Sequence, residues 1–299
     1  MNQQAILITG ATSGIGLSAV FQLLARGHRV FVTGRSEAAL ADVKQKAVVQ
    51  GFGERCETLI LDVDDATSAK RAHDEVLLRT GGKGIDVLVN NAGYATAGPM
   101  IELSDEALRA QFETNVFGLM RVTKLFADDM LRRGKGRILM IGSVSGRIPA
   151  PMLGAYHASK YALEALNDAL RMELRPFGVD VVMIEPGTIR TEFAGRAVSE
   201  AKTQRAQATR YRDVYAKQAE LVAKFDGVST SPDVVAKAIV KQVETKRPRT
   251  RVVAPGGFMF LIAAVKLLPT RFVDALMMGA AGLTKRLASR QGSAALCVP

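Results

Sequence analysis

A tyrosine and a lysine one helical turn apart are the residues of this 299-residue chain best suited to proton transfer. Tyr156 and Lys160 lie four positions apart in a segment with a helical pattern, so both side chains are expected on one face of a helix. A free phenol titrates near pH ~10 and is a poor base at neutral pH. A neighbouring ammonium stabilises the phenolate and lowers the pKa of the phenol. The pair predicts an acid/base centre, although the same spacing also occurs by chance on helices without a catalytic role.

Ser143 adds a second hydroxyl to this candidate centre. It lies 13 positions before Tyr156 and follows the predicted strand Arg137–Ile141. A loop of that length can bring both hydroxyls to the carboxyl edge of a parallel sheet, where open α/β sheets bind ligands. There the serine can donate a hydrogen bond to a substrate oxygen on which negative charge develops. Ser145 is the local alternative, and it can equally be a turn residue.

A glycine-rich loop, Thr9–Gly16, separates the predicted strand Ala5–Thr9 from the predicted helix Gly14–Arg26. Glycines there permit a tight turn and let backbone amides approach a pyrophosphate at the positive end of the helix. Such loops also arise for steric reasons alone, but the position directly after the first strand favours a dinucleotide. The residues expected to contact it are Gly10, Thr12, Ser13, Gly14, Ile15 and Gly16.

The residue after the second strand predicts which dinucleotide is bound. An acid at this position accepts hydrogen bonds from the 2′-hydroxyl of NAD, whereas an arginine favours the 2′-phosphate of NADP. Arg29–Thr33 is followed by Gly34, Arg35 and Ser36, with no acid before Glu37. The sequence therefore favours NADP(H), with a plain surface role for Arg35 as the alternative.

The order of the elements predicts the fold class. Short apolar runs alternate with helical patterns, and parallel strands need such long crossovers, so we expect one doubly wound Rossmann-type α/β domain with a mostly parallel, seven-stranded sheet and helices on both faces. The predicted strands are Ala5–Thr9, Arg29–Thr33, Glu57–Leu61, Val87–Asn90, Arg137–Ile141, Asp180–Glu185 and Arg251–Ala254. The predicted helices are Gly14–Arg26, Glu37–Val49, Ala66–Thr80, Ser104–Arg133, Ala155–Leu174 and Pro232–Thr245.

The strand–helix rhythm ends at Gly187. Residues 188–228 are polar, basic and helical in pattern, and they lie within a domain that we expect to span residues 1–255. A helical C-terminal extension, residues 256–299, is expected to pack on that domain. Its apolar stretch Gly256–Leu268 would be roughly 20 Å long as a helix, too short to cross about 30 Å of hydrocarbon. It can lie in a membrane interface, but packing on the sheet edge or on a neighbouring subunit is favoured.

Composition and charge narrow the class further. The formal net charge is +11, but the basic residues are spread out and there is no tryptophan, so solvated helix faces are favoured over nucleic-acid binding. The three histidines, His28, His73 and His157, lack metal-ligand spacing, and no metal is expected. Cys56 and Cys297 form no recognisable framework, which favours a reducing cytoplasm.

The chain resembles the short-chain dehydrogenase/reductase family over roughly residues 5–255. Several motifs carry the resemblance in the same order and at similar distances. They are Thr9–Gly16, Asp62-Val63, Asn90-Asn91-Ala92-Gly93, Asn115, Ser143, Tyr156-His157-Ala158-Ser159-Lys160 and Pro186-Gly187.

The resemblance implies roles for these positions. Tyr156 would be the general acid/base, Lys160 would bind the nicotinamide ribose and lower the pKa of the tyrosine, Ser143 would orient the carbonyl, and Asn115 would help hold a water in a proton relay. The resemblance also implies contacts with the cofactor for a larger set. These are Asp62 and Val63 at the adenine, Asn90, Ala92 and Gly93 beside the cofactor, and Pro186, Gly187 and Thr188 along the nicotinamide and its phosphates.

The resemblance further suggests the class of substrate. The segment Glu185-Pro186-Gly187 and the length of the chain look like the hydroxysteroid and retinol dehydrogenase branch, which implies a bulky apolar carbonyl or alcohol and a homodimer or homotetramer. A 3-oxoacyl-thioester reductase and a non-catalytic NADP-sensing regulator are the alternatives. The resemblance also implies that residues 188–228 form a substrate lid of the catalytic domain, with ordinary amphipathic helix packing as the alternative. The apolar residues available to line a pocket in the lid are Ile189, Phe193, Ala197, Val198, Tyr211, Val214, Tyr215, Leu221, Val222 and Phe225.

Overall fold

A computed structural model describes residues 3–190, 211, 214, 215, 217 and 229–283. The predicted lid residues Phe193, Ala197, Val198, Leu221, Val222 and Phe225, as well as Cys297 and the end of the tail, lie outside this description.

Seven parallel strands form one sheet in the order β3-β2-β1-β4-β5-β6-β7. The strands are β1 (Ala5–Ile8), β2 (Arg29–Gly34), β3 (Cys56–Ile60), β4 (Val87–Asn90), β5 (Gly136–Ile141), β6 (Val179–Pro186) and β7 (Arg251–Ala254). The predicted doubly wound fold is confirmed, and each strand lies within one or two residues of its predicted bounds. The chain reverses direction across the sheet between β1 and β4, which is where such sheets hold ligands.

Nine α-helices occur in the described residues. They are α1 (Gly14–Ala25), α2 (Glu37–Val49), α3 (Ala66–Arg79), α4 (Asp105–Phe112), α5 (Leu119–Arg133), α6 (Gly154–Leu174), α7 (Pro232–Glu244), α8 (Phe258–Leu267) and α9 (Thr270–Ala281). Ser104 caps α4 by accepting a hydrogen bond from the Ala107 amide at 3.1 Å, and Ser231 caps α7 through the Asp233 amide. Both side chains satisfy first-turn amides that would otherwise lack a partner.

The prediction of one continuous helix from Ser104 to Arg133 is wrong in one respect. Between α4 and α5 the chain forms a turn of π-helix, Glu113–Gly118. A π-bulge is invisible in apolar periodicity, and it often accompanies a functional site. Here it contains Asn115.

Apolar clusters cover both faces of the sheet. Successive residues of β1, β2 and β4 belong alternately to the two clusters, because neighbouring side chains of a strand point to opposite faces of the sheet. In β1, for example, Ile6 and Ile8 belong to the cluster on one face, whereas Leu7 belongs with Phe126 to the cluster on the other face. This double burial fixes the strand register, because a slip of one residue would exchange the two faces. The carboxyl edge is therefore a rigid platform for the loops that leave it.

Candidate active site

The glycine-rich loop after β1 leaves an open approach to the start of α1. Gly10 and Gly14 have positive φ angles of 61° and 55°, which favour glycine. A Cβ on Gly16 would lie 2.7 Å from the carbonyl oxygen of Gly10. Ser13 precedes α1 with an extended backbone and makes no side-chain cap bond, and the first turn of α1 contains no acid. The positive end of α1 can therefore receive a phosphate, and the loop fits a dinucleotide pyrophosphate.

The loop after β4 holds the glycine loop in place. The Thr9 hydroxyl accepts hydrogen bonds from the amides of Asn91 and Ala92, both at 2.9 Å. The Asn91 side chain donates in return to the carbonyl oxygens of Thr9 and Gly10, both at 2.9 Å. These four bonds join the two strands on either side of the chain reversal.

Three predicted cofactor residues lie at the ends of β2 and β3. Arg35 directly follows β2 and is exposed, so its guanidinium is accessible to a ligand. Asp62 is half-buried just beyond β3, and its carboxylate accepts a hydrogen bond from the Asp64 amide. Val63 is buried, and its carbonyl oxygen accepts from the Arg121 guanidinium. The neighbouring ends of β2 and β3 therefore bring these residues to the same edge.

Asn90 does not point toward the cofactor edge. Its side chain is fully buried and donates to the Thr123 hydroxyl of α5 at 2.7 Å. A contact of the Asn90 side chain with a cofactor does not fit this orientation, because the last residue of β4 faces the helix layer. Two and three residues later, Ala92 is half-buried and Gly93 is exposed.

Ser143, Tyr156 and Lys160 meet beneath this edge. The Tyr156 phenol and the Ser143 hydroxyl are hydrogen-bonded. The Lys160 ammonium lies 5.8 Å from the centre of the Tyr156 ring and donates to the Ile141 carbonyl oxygen at 2.9 Å. All three side chains are buried, and the helical spacing of the tyrosine and lysine puts them on one face of α6, as predicted. The Ser143 hydroxyl also accepts a hydrogen bond from the Ser145 amide at 3.1 Å, so Ser143 caps the short helical turn Val144–Gly146 as well.

Burial controls how these two groups titrate. It raises the pKa of Tyr156 to about 12, and the hydrogen bond to Ser143 only partly opposes it. Burial also lowers the pKa of Lys160 to about 8, although the Glu164 carboxylate raises it. Desolvation of the phenolate is the largest cause of the raised pKa of Tyr156, and the expected lowering of that pKa by the Lys160 ammonium stays a prediction. The phenol keeps its proton at neutral pH.

The Asn115 side chain holds the loop at Tyr94 in place beside Lys160. Its side-chain amide accepts from the Tyr94 amide at 3.0 Å and donates to the Tyr94 carbonyl oxygen and the Ser159 hydroxyl at 2.9 and 3.0 Å. A Cβ on Gly93 would lie 3.0 Å from the Asn115 Oδ1 and 4.0 Å from the Lys160 Nζ. Glycine at this position keeps open a small space between the asparagine and the lysine. Both donor hydrogens of Asn115 are used within the protein, so a water held by this side chain would have to donate to Oδ1.

The end of β6 completes the edge. Pro186, Gly187 and Thr188 follow one another there, and Gly187 and Thr188 are half-buried. The Thr188 carbonyl oxygen accepts from the Thr230 amide at 3.1 Å. The ring of Phe258 from α8 covers Gly187, since a Cβ there would lie 2.3 Å from the ring. The predicted cofactor stretch thus lies directly under the start of the C-terminal extension.

A partly buried ionic cluster, which we call the Glu164 cluster, begins one turn beyond Lys160 on α6. Its members are Glu164, Asp168, Glu185, Arg147 and Arg251. The Arg251 guanidinium contacts both glutamates, and Arg147 pairs with Glu185 at 3.1 Å. One oxygen each of Glu164 and Glu185 is buried without a hydrogen-bond partner among the described residues. Burial, with the neighbouring Glu185 carboxylate as a further cause, raises the pKa of Glu164.

The Glu164 cluster was not predicted from the sequence, because its members come from α6, β6, β7 and the loop after β5, which are far apart in the chain. The available signal was the helical spacing Tyr156–Lys160–Glu164, in which each residue is one turn from the next. Among the described residues, no group of histidine, cysteine and acidic side chains could hold a metal ion.

Comparisons with known proteins agree with this geometry. A family model described as short chain dehydrogenase matches residues 4–202. The chain is 36% identical over 273 residues to the NADPH-dependent 3-dehydrocapnine reductase of Ornithobacterium rhinotracheale, covering 90% of this chain and 94% of that protein. It is 32% identical over 271 residues to human 17-beta-hydroxysteroid dehydrogenase type 1, covering 88% and 80%. The crystal structure of actinorhodin polyketide ketoreductase with NADPH matches with a TM-score of 0.71 at 30% identity, covering 84% and 95%.

Replacing Glu164 tests the link between the Glu164 cluster and the lysine. Because the carboxylate raises the pKa of Lys160, Glu164→Gln should lower that pKa below about 8, and the alkaline limb of the kcat/KM profile should move to lower pH. Asp168→Asn is the matched control, because Asp168 lies on the same helix as Glu164 and its carboxylate also pairs with Arg251. An unchanged limb in Glu164→Gln, or an equal displacement in both variants, would contradict the link.

Proposed function

Because this chain belongs to the short-chain dehydrogenase family, we propose that it reduces the carbonyl group of a bulky apolar substrate to an alcohol with NADPH, using Tyr156 as the proton donor. The observation that carries the proposal is the hydrogen-bonded, buried pair of Ser143 and Tyr156 at the edge where the glycine loop opens. Two hydroxyls held together there can both donate hydrogen bonds to one substrate oxygen.

Ser143, Tyr156 and Lys160 would each have a separate role in the reduction. When bound, the reduced nicotinamide supplies a hydride to the carbonyl carbon. Ser143 donates a hydrogen bond to the carbonyl oxygen, and Tyr156 gives that oxygen its proton. A phenol with a pKa of about 12 is fully protonated at neutral pH and can still protonate an alkoxide, which is a far stronger base. Lys160, beside the tyrosine ring and the open space at Gly93, can replenish the proton.

NADP(H) is the cofactor that both the chain and its relatives support. The 36% identical relative is NADPH-dependent, and actinorhodin polyketide ketoreductase is seen with NADPH. Arg35 is exposed directly after β2, at the position where a guanidinium can contact the 2′-phosphate. Gly10–Gly16 would hold the pyrophosphate, Asp62 and Val63 the adenine, and Gly93 with Pro186, Gly187 and Thr188 the nicotinamide half.

The substrate class rests on two supports. One is the names of the relatives, a 3-dehydrocapnine reductase and a hydroxysteroid dehydrogenase. The other is the part of residues 188–228 that the structure describes: Val214 and Tyr215 are buried and pack on Ala97 and Met152 beside the site. Apolar side chains of this segment would line a lid over a steroid, retinoid or long-chain ketone. The active unit would be a homodimer or homotetramer in the cytoplasm.

A 3-oxoacyl-thioester reductase is the second candidate, since a polyketide ketoreductase is among the similar structures. NADPH consumption with a steroid or long-chain ketone, measured beside an acetoacetyl thioester, separates the two. We expect kcat/KM at least about tenfold higher for the apolar ketone. A preference for the thioester would reverse the substrate assignment, and no turnover with any carbonyl would favour an NADP-sensing regulator.

Tyr156→Phe tests the proposed reaction. The variant removes only the phenolic hydroxyl, so kcat should fall by about 10²-fold or more, as expected for loss of a general acid. NADPH binding, measured by fluorescence titration, should change by less than about threefold. Tyr161→Phe, on the same helix but half exposed, is the matched control and should keep wild-type turnover. Wild-type kcat in Tyr156→Phe would refute the assignment.

Arg35→Ala tests how the cofactor is selected. Loss of a charge-assisted contact with the 2′-phosphate should lower kcat/KM for NADPH by about tenfold or more, while kcat/KM for NADH stays nearly constant. Arg26→Ala, which removes an exposed arginine from the end of α1, is the control. Equal losses with both cofactors would contradict a role for Arg35 in recognising the phosphate.

A further inference from the structure

The two C-terminal helices α8 and α9 form a hairpin, residues 258–281, that touches the rest of the protein along narrow stripes. In α8, Phe258, Ile262 and Val265 recur at helical spacing on the inner side. Only Ile262 is fully buried, at 5% exposure, and it packs with Ile148 and Val253. No residue of α9 is buried. Within α8, the fully buried contact with the catalytic domain is thus limited to Ile262.

The outer side of the hairpin is apolar as well. Phe260 and Leu267 are 82% and 85% exposed. A surface helix of a soluble protein normally presents charged and polar residues on its outer side. A concentration of exposed large apolar side chains on one element marks a surface that another body covers. The exposed members of the hairpin are Met259, Phe260, Leu261, Leu267, Leu268, Phe272, Leu276 and Met278.

Two exposed cations flank the tip of the hairpin. Lys266 lies in the last turn of α8 and Arg271 in the first turn of α9, and the exposed Leu267 and Leu268 lie between them in the sequence. Over residues 256–299 the sequence contains five basic residues, Lys266, Arg271, Lys285, Arg286 and Arg290, against one acidic residue, Asp274. Long basic side chains can reach anionic headgroups while their neighbours enter the acyl boundary.

We propose that the hairpin binds the surface of an anionic lipid bilayer, with its tip and outer apolar face in the headgroup region. No helix in the described part of the chain is long and apolar enough to cross a membrane. A helix of ten residues reaches about 15 Å, so the hairpin lies in the interface. A second copy would place two chains that each carry a net charge of +11 against one another, whereas an anionic surface complements the basic residues of this segment.

The position of the hairpin connects this surface to the candidate active site. Phe258, the first residue of α8, covers Gly187 at the carboxyl edge. At the end of α9, Leu283 packs with Val214 and Tyr215 of the proposed lid, and Lys217 donates to the Gly279 carbonyl oxygen at 3.4 Å. The base of the hairpin thus contacts the carboxyl edge and the proposed lid, so an apolar substrate could pass from lipid along the hairpin to the site. That consequence rests on the proposed function, whereas membrane binding itself does not.

Vesicle flotation of the full-length protein tests the proposal. Wild type should float with vesicles that contain about one quarter phosphatidylglycerol, should bind pure phosphatidylcholine vesicles far less, and should dissociate at high salt. Phe260→Glu should lower the bound fraction on the anionic vesicles by about tenfold or more, because it places a charge in the apolar contact. Leu78→Glu is the matched control, since Leu78 is 76% exposed on α3, away from the hairpin.

Several outcomes would overturn the proposal. These are failure of the wild type to float, equal flotation of wild type and Phe260→Glu, and equal losses in Phe260→Glu and Leu78→Glu. Light-scattering mass measurements provide another: a drop in oligomer size in Phe260→Glu would make a second copy the occupant of the face. Leu267→Glu at the tip replaces Phe260→Glu if that variant does not melt like the wild type. NADPH binding should be unchanged in all of them, which separates this test from that of the proposed function.

Discussion

Burial of a phenol beside an ammonium is the constraint on which the rest of the site depends. Tyr156 and Lys160 are 9% and 6% exposed, and burial disfavours the charged form of both. The phenol keeps its proton, and the ammonium releases its own more readily than in water. A proton donor and a group that can resupply it are thus held within one turn of one helix. That arrangement suits protonation of a carbonyl oxygen.

The scaffold supplies this burial at the one edge where a dinucleotide can also bind. Doubly buried strands fix the register of the sheet, and the hydrogen bonds between Thr9, Asn91 and Ala92 join the loops on either side of the chain reversal. The π-bulge lets Asn115 fasten the loop at Tyr94 against α6 through Ser159. The Glu164 cluster then joins α6 to β6 and β7 beneath the lysine. The orientation of Lys160 therefore depends on several elements at once.

Local patterns in the sequence were sufficient for the fold and for the central site. Apolar runs located every strand, and the spacing of Ser143, Tyr156 and Lys160 predicted that they meet. Desolvation raises the pKa of Tyr156, and this effect could not be predicted because a sequence shows which charge is near but not how much water is removed. The inward orientation of Asn90 depends on the pleat at the last residue of β4. Phe260 is exposed because α8 contacts the catalytic domain only on its other side. The spacing of apolar residues in the sequence does not show which side of a helix lacks a neighbour.

Ultraviolet difference spectra of the wild type against Tyr156→Phe, recorded across pH without cofactor, test the central claim most directly. Because burial raises the pKa of this phenol to about 12, no difference band from phenolate should appear between about pH 6 and pH 10. A phenolate band that appears only in the wild type, with a midpoint between about pH 7 and pH 9, would contradict this expectation. The attraction of Lys160 would then outweigh desolvation, and Tyr156 would not be held as a protonated donor by burial.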